Sequence, residues 1–273
     1  MTRTPAAVGI VILFVTPLIA EEPKSPAPTI GALSMELSAL QSLHRLKLDE
    51  AQLRKLKAIA ERIADKDAKR PNGKASPEYR KAVESLIEAY LTVSDDDLIG
   101  QLQEDLDAIA DNEKPELDDD FEMTAAARRA APEFLTLLSA RQLTSYLSST
   151  FGDETPDPYE KLVEAMDRVR GLSAKEFRDQ HNDICDEIGQ LAAGLDVEKA
   201  GEVSEKVLAL LLRVRQMPDA DYKAELAKLR ESAQRVVGAP GPTEVLRRVM
   251  ERELAQFLSN PRLAAAIDHR LKR

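Results

Sequence analysis

The residues best suited to metal chemistry are His181 and Cys185, which stand four positions apart in the sequence DQHNDICDEI at 179–188. On a helix, this spacing puts an imidazole and a thiol on one face, a pair that suits zinc or a similar metal. A tight site needs a third and a fourth ligand, and no motif links the other histidines, His44 and His269, to this helix. The alternative is that both side chains belong to the apolar stripe of the helix. We therefore predict no metal and no other cofactor, with this pair as the weak candidate.

The short motifs of common catalytic sites are missing from the sequence. It contains no G-x-S-x-G, no H-E-x-x-H, no C-x-x-C and no phosphate-cradling glycine loop. Three histidines and one cysteine allow few pairs of nucleophile and base, and a pair of catalytic carboxylates cannot be singled out among 48 acidic residues. We predict a protein that is not an enzyme and has no catalytic residues.

Helices must position these residues, because apolar side chains recur at helical spacing along almost the whole chain. Leu53, Leu56, Ile59 and Ile63 form one such stripe. Aromatic residues make up 4% of the chain and tryptophan is absent, so that the core must consist mainly of aliphatic side chains. No segment shows convincing strand alternation. The prediction is an all-α fold of helical hairpins or bundles, with later helices at 173–193, 197–216, 220–237, 243–257 and 260–271.

The first twenty residues have the layout of a secretory signal peptide. Arg3 precedes an apolar stretch of about a dozen residues, and the small residue Ala20 precedes Glu21, so we predict cleavage between these two. The apolar stretch is short for a bilayer span, and an uncleaved anchor is the alternative. Residues 21–36 begin with several prolines and are expected to form a flexible tether. The predicted location is the periplasm or the outside of the cell, with no integral membrane span after cleavage.

The charge balance limits the classes of partner. The net charge is −10, and loss of Arg3 with the leader would lower it by one. Nucleic acids and anionic lipid surfaces are bound through Lys and Arg, and an acidic chain without a basic block is poorly suited to either. A single cysteine also excludes an internal disulfide framework. Stability is therefore expected to come from helix packing alone.

One short motif recurs along the chain, with Leu followed by Asp or Ser, two spacers, Gln and Leu. Its residue types predict a capped helix start, in which the Asp or Ser caps the helix, the Gln closes a capping box and the two apolar residues form a hydrophobic staple. The third copy has Glu and Phe at the last two positions, and a looser fourth match covers 258–263. The three better copies are Leu48, Asp49, Gln52 and Leu53; Leu138, Ser139, Gln142 and Leu143; and Leu172, Ser173, Glu176 and Phe177.

The spacing of these copies suggests two related helical halves. Leu48 and Leu138 lie 90 residues apart, and Leu172 and Leu258 lie 86 residues apart. The segment TFGDETPDPYE at 150–160 contains one glycine and two prolines and makes the best internal boundary. We predict one helical domain at 37–150 and a second at 157–273.

An exported, all-helical chain with "LDEAQ" at 48–52 and "LSARQ" at 138–142 resembles the bacterial periplasmic Spy/CpxP family, whose two LTxxQ motifs bracket a helical hairpin core. Members of that family act as ATP-independent chaperones, as envelope-stress regulators or as metal-responsive proteins. The resemblance implies a non-enzymatic protein that binds unfolded clients or another envelope protein. The chain differs from the small chaperone members in its greater length and net acidity. The alternatives are a structural or scaffolding all-α envelope protein and a metal-responsive periplasmic protein.

Overall fold

A computed structural model describes residues 28–64, 72–92, 95–117, 121–151, 157–238 and 240–272. In these segments the chain is all-α, as predicted, apart from two short strands. The predicted leader, its cleavage site at Ala20 and Glu21, and the tether up to residue 27 lie outside the described residues. The helices are α1 (Ile30–Leu46), α2 (Glu50–Ile63), α3 (Pro77–Thr92), α4 (Asp96–Glu113), α5 (Ala125–Leu135), α6 (Ala140–Phe151), α7 (Pro158–Gly171), α8 (Ala174–Ala193), α9 (Val197–Gln216), α10 (Asp219–Val237), α11 (Pro242–Leu258) and α12 (Leu263–Leu271), and the strands are β1 (Gly73–Lys74) and β2 (Glu116–Leu117).

The predicted tether extends too far along the chain. Thr29 accepts a hydrogen bond from the Ala32 amide and caps α1, so that residues 30–36 are helical. Ile30 and Met35 are each 4% exposed, because this first turn packs against the neighbouring hairpin and core. The prolines of the sequence end before α1 begins, and burial of the apolar residues after them favours the helix.

The main core surrounds α1 and α2. Their inward residues, including Leu40, Leu43 and Leu56, are fully buried together with Phe134 of α5. The helices α11 and α12 belong to the same cluster, since α11 packs along α5 and α12 packs against α2 and α1. Residues at both ends of the described chain therefore share one core, and the domain boundary near 150–157 stays a prediction.

The hairpin of α3 and α4 packs against the first half of α1. Val83 and Leu86 are fully buried in a small cluster with Leu33 and Leu37. The antiparallel pair of β1 and β2 closes the open end of the hairpin. Gly31 of α1 makes room for this arrangement, because a β-carbon there would lie 2.1 Å from the Asn72 carbonyl oxygen.

The helices α7 to α10 form a separate four-helix cluster whose largest contact is between α8 and α9. Gly189 allows this close approach, since a β-carbon there would lie 2.2 Å from Ser204 Oγ and 2.6 Å from the Ala200 carbonyl oxygen. Arg248 of α11 donates to the Ala192 carbonyl at the end of α8 and so joins this bundle to the main core.

No helix in the described segments is both long enough and apolar enough to cross a membrane.

Candidate functional site

The first copy of the motif forms the corner between α1 and α2. Lys47 adopts a left-handed conformation (φ 47°) that ends α1. The Asp49 carboxylate caps α2 by accepting from the main-chain N–H of Gln52 at 2.8 Å. In return, Gln52 Oε1 accepts from the Asp49 amide at 3.0 Å, which completes a capping box. Leu48 and Leu53 are 8% and 6% exposed, so that the apolar residues on both sides of the cap are held in the core.

The second copy forms the corner between α5 and α6 in the same way. Ser139 Oγ accepts from the Gln142 amide at 3.3 Å, and Gln142 Oε1 accepts from the Ser139 amide at 2.9 Å. Leu138 is 8% exposed, and Leu143 is partly buried against the same core. The two corners are therefore built alike, although 90 residues separate them.

The two glutamines meet and bind each other, and we call this pair the glutamine clasp. Gln142 Nε2 donates to Gln52 Oε1 at 2.9 Å, and Gln52 Nε2 donates to Gln142 Oε1 at 3.1 Å. Each amide also donates to the main chain of the opposite corner, from Gln52 to the Leu137 carbonyl at 2.7 Å and from Gln142 to the Lys47 carbonyl at 3.0 Å. Every donor and acceptor of both amides thus has a partner.

The clasp explains why both copies carry glutamine. The side chain must accept from its own cap and also donate to a carbonyl five residues before its counterpart, and the side-chain amide of glutamine can do both at once. A glutamate could close the capping box, but it could not donate, and two glutamates here would repel each other. The clasp is a packing and orienting device, and it offers no group with which to bind a small molecule.

The third copy has glutamate and makes no clasp. Ser173 caps α8, and the Glu176 carboxylate accepts from the Ser173 amide at 2.8 Å in a complete capping box. Phe177 is buried and Leu172 is partly buried. Hydrogen bonds from Ser173 hold the pKa of Glu176 below its ordinary value. Within the described segments, Glu176 makes no hydrogen bond to a second corner, so nothing there requires an amide.

In the α7–α10 bundle, two arginines take the place of the glutamines, and we call Arg170 and Arg215 the arginine clasp. Each stands near the end of one helix and donates to carbonyls at the end of the other, where the helix leaves acceptors unsatisfied. Arg170 Nη1 binds the Val214 and Met217 carbonyls at 2.8 Å, and Arg215 Nη1 binds the Val169 and Leu172 carbonyls at 2.7 and 2.8 Å.

Aromatic rings complete the arginine clasp. The Arg170 guanidinium lies 4.3 Å from the ring centre of Tyr222, and the Arg215 guanidinium lies 4.8 Å from that of Phe177. Tyr222 donates to Asp167 at 2.6 Å, and burial together with this carboxylate raises the pKa of Tyr222 to about 12.

The arginine clasp was not predicted from the sequence, although VRGLSAKEF at 169–177 and VRQMPDADY at 214–222 repeat the same pattern 45 residues apart.

The loosest copy of the motif, at 258–263, does not begin a helix. Ser259 follows the end of α11, where its hydroxyl donates to the Ala255 carbonyl and accepts from the Thr124 amide. α12 begins only at Leu263, and its N-cap residue makes no side-chain cap. In the turn before it, Asn260 donates to the Met35 carbonyl and accepts from the Arg262 main-chain N–H. The corner at Leu172 meets the corner at Met217. The two related halves that the spacing of the motif suggested stay a prediction.

His181 and Cys185 serve packing within α8. The ring of His181 stacks on Phe177 with 5.2 Å between centres, and its Nδ1 lies 3.0 Å from the Phe177 carbonyl oxygen. Cys185 is 4% exposed, and burial raises the pKa of its thiol to about 11, so that a thiolate is disfavoured. No group of three or more His, Cys, Asp or Glu side chains is placed to hold a metal in the parts of the chain that the structure describes.

Clefts open at the surface of the described part of the chain. One, of about 460 Å³, lies between α8 and α11 and carries charges of both signs, including Asp186, Glu187 and Arg252. A second, of about 470 Å³, lies beside the start of α12, where apolar side chains such as Ile63 and Phe121 stand beside the polar residues Glu122, Thr124 and Asn260. Met35, Leu258 and Leu263 in its walls are each at most 4% exposed, so the second cleft reaches the main core.

Comparison with protein-family models, curated proteins and solved structures finds no match to this chain. The fold and the site define an all-α protein whose helical corners are joined in pairs by reciprocal side-chain hydrogen bonds.

Proposed function

We propose that this protein is exported and, without enzymatic activity, binds other proteins in the cell envelope, in a chaperone-like or stress-regulatory role. The glutamine clasp carries the proposal. It brings together the two motif copies at Leu48 and Leu138, which are the copies that resemble the paired motif of the Spy/CpxP family. A motif used only to start a helix would not need its two copies in contact.

Two further features support binding rather than catalysis. His181 and Cys185, the side chains best suited to metal binding or nucleophilic chemistry, are engaged in packing. The raised pKa of the Cys185 thiol also disfavours the thiolate, which is the nucleophilic form. The cleft beside α12 presents apolar side chains, such as Ile63 and Phe121, that an apolar segment of an unfolded protein could contact.

An aggregation assay tests this proposal. Several unfolded client proteins are diluted from denaturant with and without stoichiometric amounts of this protein, and light scattering is followed. Suppression is expected for more than one client. The matched control is a double variant with Gln52→Ala and Gln142→Ala, checked for retained helicity. A parent protein that suppresses the aggregation of no client would count strongly against the proposal. Fractionation of cells that express the chain with and without residues 1–20 tests export.

A structural or scaffolding role in the envelope is the second candidate. The surface favours it, since Leu98, Val197 and Leu212 are the only large hydrophobic residues that are exposed in the described part of the chain. A scaffold would show no suppression of aggregation but would be recovered with one specific partner after crosslinking. A metal-responsive role is weaker still, and an unchanged melting temperature with excess Zn²⁺ would exclude it.

A further inference from the structure

The helix α12 occupies a groove between α1 and α2. Its inward residues Leu263, Ala266 and Ile267 are at most 1% exposed and belong to the main core cluster. These residues follow the i, i+3, i+4 spacing with which an amphipathic helix fills an apolar groove. One of the three is alanine, so that two large apolar side chains of α12 are fully buried, and Leu271 at the end of the helix is partly buried against the same core.

Charged groups fasten α12 and the turn before it at the rim of the groove. Lys57 of α2 lies 2.6 Å from Asp268. On α1, the buried Glu36 lies 2.8 Å from Arg262 and 2.6 Å from His269. Pairing of this kind fixes the position of a helix, but the cost of desolvating a buried carboxylate offsets most of the attraction.

The polar fit of this segment is incomplete. Arg262 Nε and Arg270 Nη1 are buried without a hydrogen-bond partner among the described residues. Buried donors of this kind oppose docking, because water would satisfy them if the segment left the groove. A helix of nine residues is also too short to persist in water, so α12 is helical only while it is docked.

The groove extends beyond α12. The cleft of about 470 Å³ is lined by Met35 of α1 and Ile63 of α2, the two helices that hold α12, and by Leu263 and Ala264 at the start of α12.

We propose that α12 is a displaceable latch over a binding groove of α1 and α2, and that the partner is a protein segment that forms an amphipathic helix with apolar residues at i, i+3 and i+4. This inference rests on the proposed function and names its binding surface. In the closed state α12 covers the groove, and a partner competes with α12 for the same apolar walls.

Charge reversal at the rim tests the latch without altering the core. In the full chain, Asp268→Lys places a second cation beside Lys57, and the double variant with Lys57→Asp and Asp268→Lys restores an opposite pair. Hydrogen exchange of the α12 amides is expected to be about fivefold faster in the single variant. It should slow again in the double variant but stay above the parent rate, because the new carboxylate at position 57 faces Glu61, with which Lys57 is paired in the parent protein. The concentration for half-suppression of client aggregation should fall in the single variant by a similar factor.

A synthetic peptide that corresponds to residues 260–273 serves as a competitor. It should reduce client binding by the Asp268→Lys variant, whereas a peptide in which Leu263 and Ile267 are replaced by Asp should not. α12 amides that exchange only on global unfolding would overturn the latch, whatever the protein binds. Faster exchange of α12 without tighter client binding, in a protein whose parent form does bind clients, would overturn the groove and leave the proposed function standing. Faster exchange with no client bound by any variant would overturn both.

Discussion

The side-chain amides of Gln52 and Gln142 bind each other through two hydrogen bonds, of 2.9 and 3.1 Å, across 90 residues of sequence. Each amide also completes the capping box of its own helix and binds a carbonyl of the opposite corner. The two corners of the main core are consequently one unit, because neither glutamine has all its partners without the other. The cap residues Asp49 and Ser139 act locally, and the glutamines act between elements.

Gln142→Glu is expected to lower the free energy of unfolding by about 1 to 3 kcal/mol at neutral pH. The carboxylate keeps the capping box with Ser139, but it loses the donor to the Lys47 carbonyl and to Gln52. Urea unfolding followed by circular dichroism measures the change.

The third copy of the motif supplies the matched control. Glu176→Gln should change the free energy of unfolding by less than about 1 kcal/mol, since Glu176 accepts only from its own cap and loses only a favourable charge at the helix start. A double-mutant cycle of Gln52→Ala and Gln142→Ala should also be strongly non-additive. Additive losses in that cycle would show that the two amides contribute independently.

The sequence carries unequal information about the two parts of such a corner. A capping box spans four consecutive residues, so the spacing of Ser173 and Glu176 indicates it directly. The contact of Gln52 with Gln142 depends on the packing of α1, α2, α5 and α6, and no local pattern encodes which corner meets which. Helical periodicity was sufficient to predict the all-α class, because apolar stripes with a period near 3.6 are typical of helices, whereas strands alternate with a period of 2.

Similar residues have different roles where their tertiary surroundings differ. Ser259 matches the cap position of the motif, but its hydroxyl is used by the Ala255 carbonyl and the Thr124 amide. Arg170 and Arg215 stand in a visible 45-residue repeat, yet an arginine near a helix end is usually interpreted as a solvated charge. Their reciprocal binding of carbonyls could be found only from the packing of α7 against α9.

Gly189→Ala is expected to destabilise the protein by about 2 kcal/mol, because the new methyl group would overlap Ser204 and the backbone at Ala200. The helices α8 and α9 cannot separate to make room for the methyl group without opening the largest contact of the bundle. Gly201→Ala on α9 is the control. Apart from its chain neighbours and its own helix backbone, no atom of the described residues lies within 4 Å of a β-carbon there, so the substitution should stabilise the helix by about 0.5 to 1 kcal/mol. Thermal unfolding of both variants measures the difference, and equal effects would contradict the tight contact.

Arg215→Ala is expected to cost about 2 kcal/mol of unfolding free energy. It leaves the Val169 and Leu172 carbonyls without their donor and removes the cation–π contact with Phe177. Arg213→Ala, two residues earlier, removes an exposed ion pair with Glu225 and should cost less than about 1 kcal/mol. Denaturant unfolding of the two variants gives the comparison, and similar losses would mean that the arginine clasp adds nothing beyond surface charge.

Cys185 is expected to resist alkylation in the folded protein. Burial raises the pKa of its thiol to about 11, so that at pH 8 only about one molecule in a thousand carries the reactive thiolate. The side chain is also only 4% exposed, so that a reagent can reach it only when α8 and α9 separate.

Mass spectrometry after iodoacetamide treatment should show almost no labelling of Cys185 in native buffer and complete labelling in about 6–8 M urea, on the order of the denaturant needed to unfold a stable domain. Gly189→Ala should accelerate native labelling, because it loosens the same helix pair, whereas Gly201→Ala should not. Rapid stoichiometric labelling of the parent protein would instead identify Cys185 as an accessible thiol and reopen a chemical role for it.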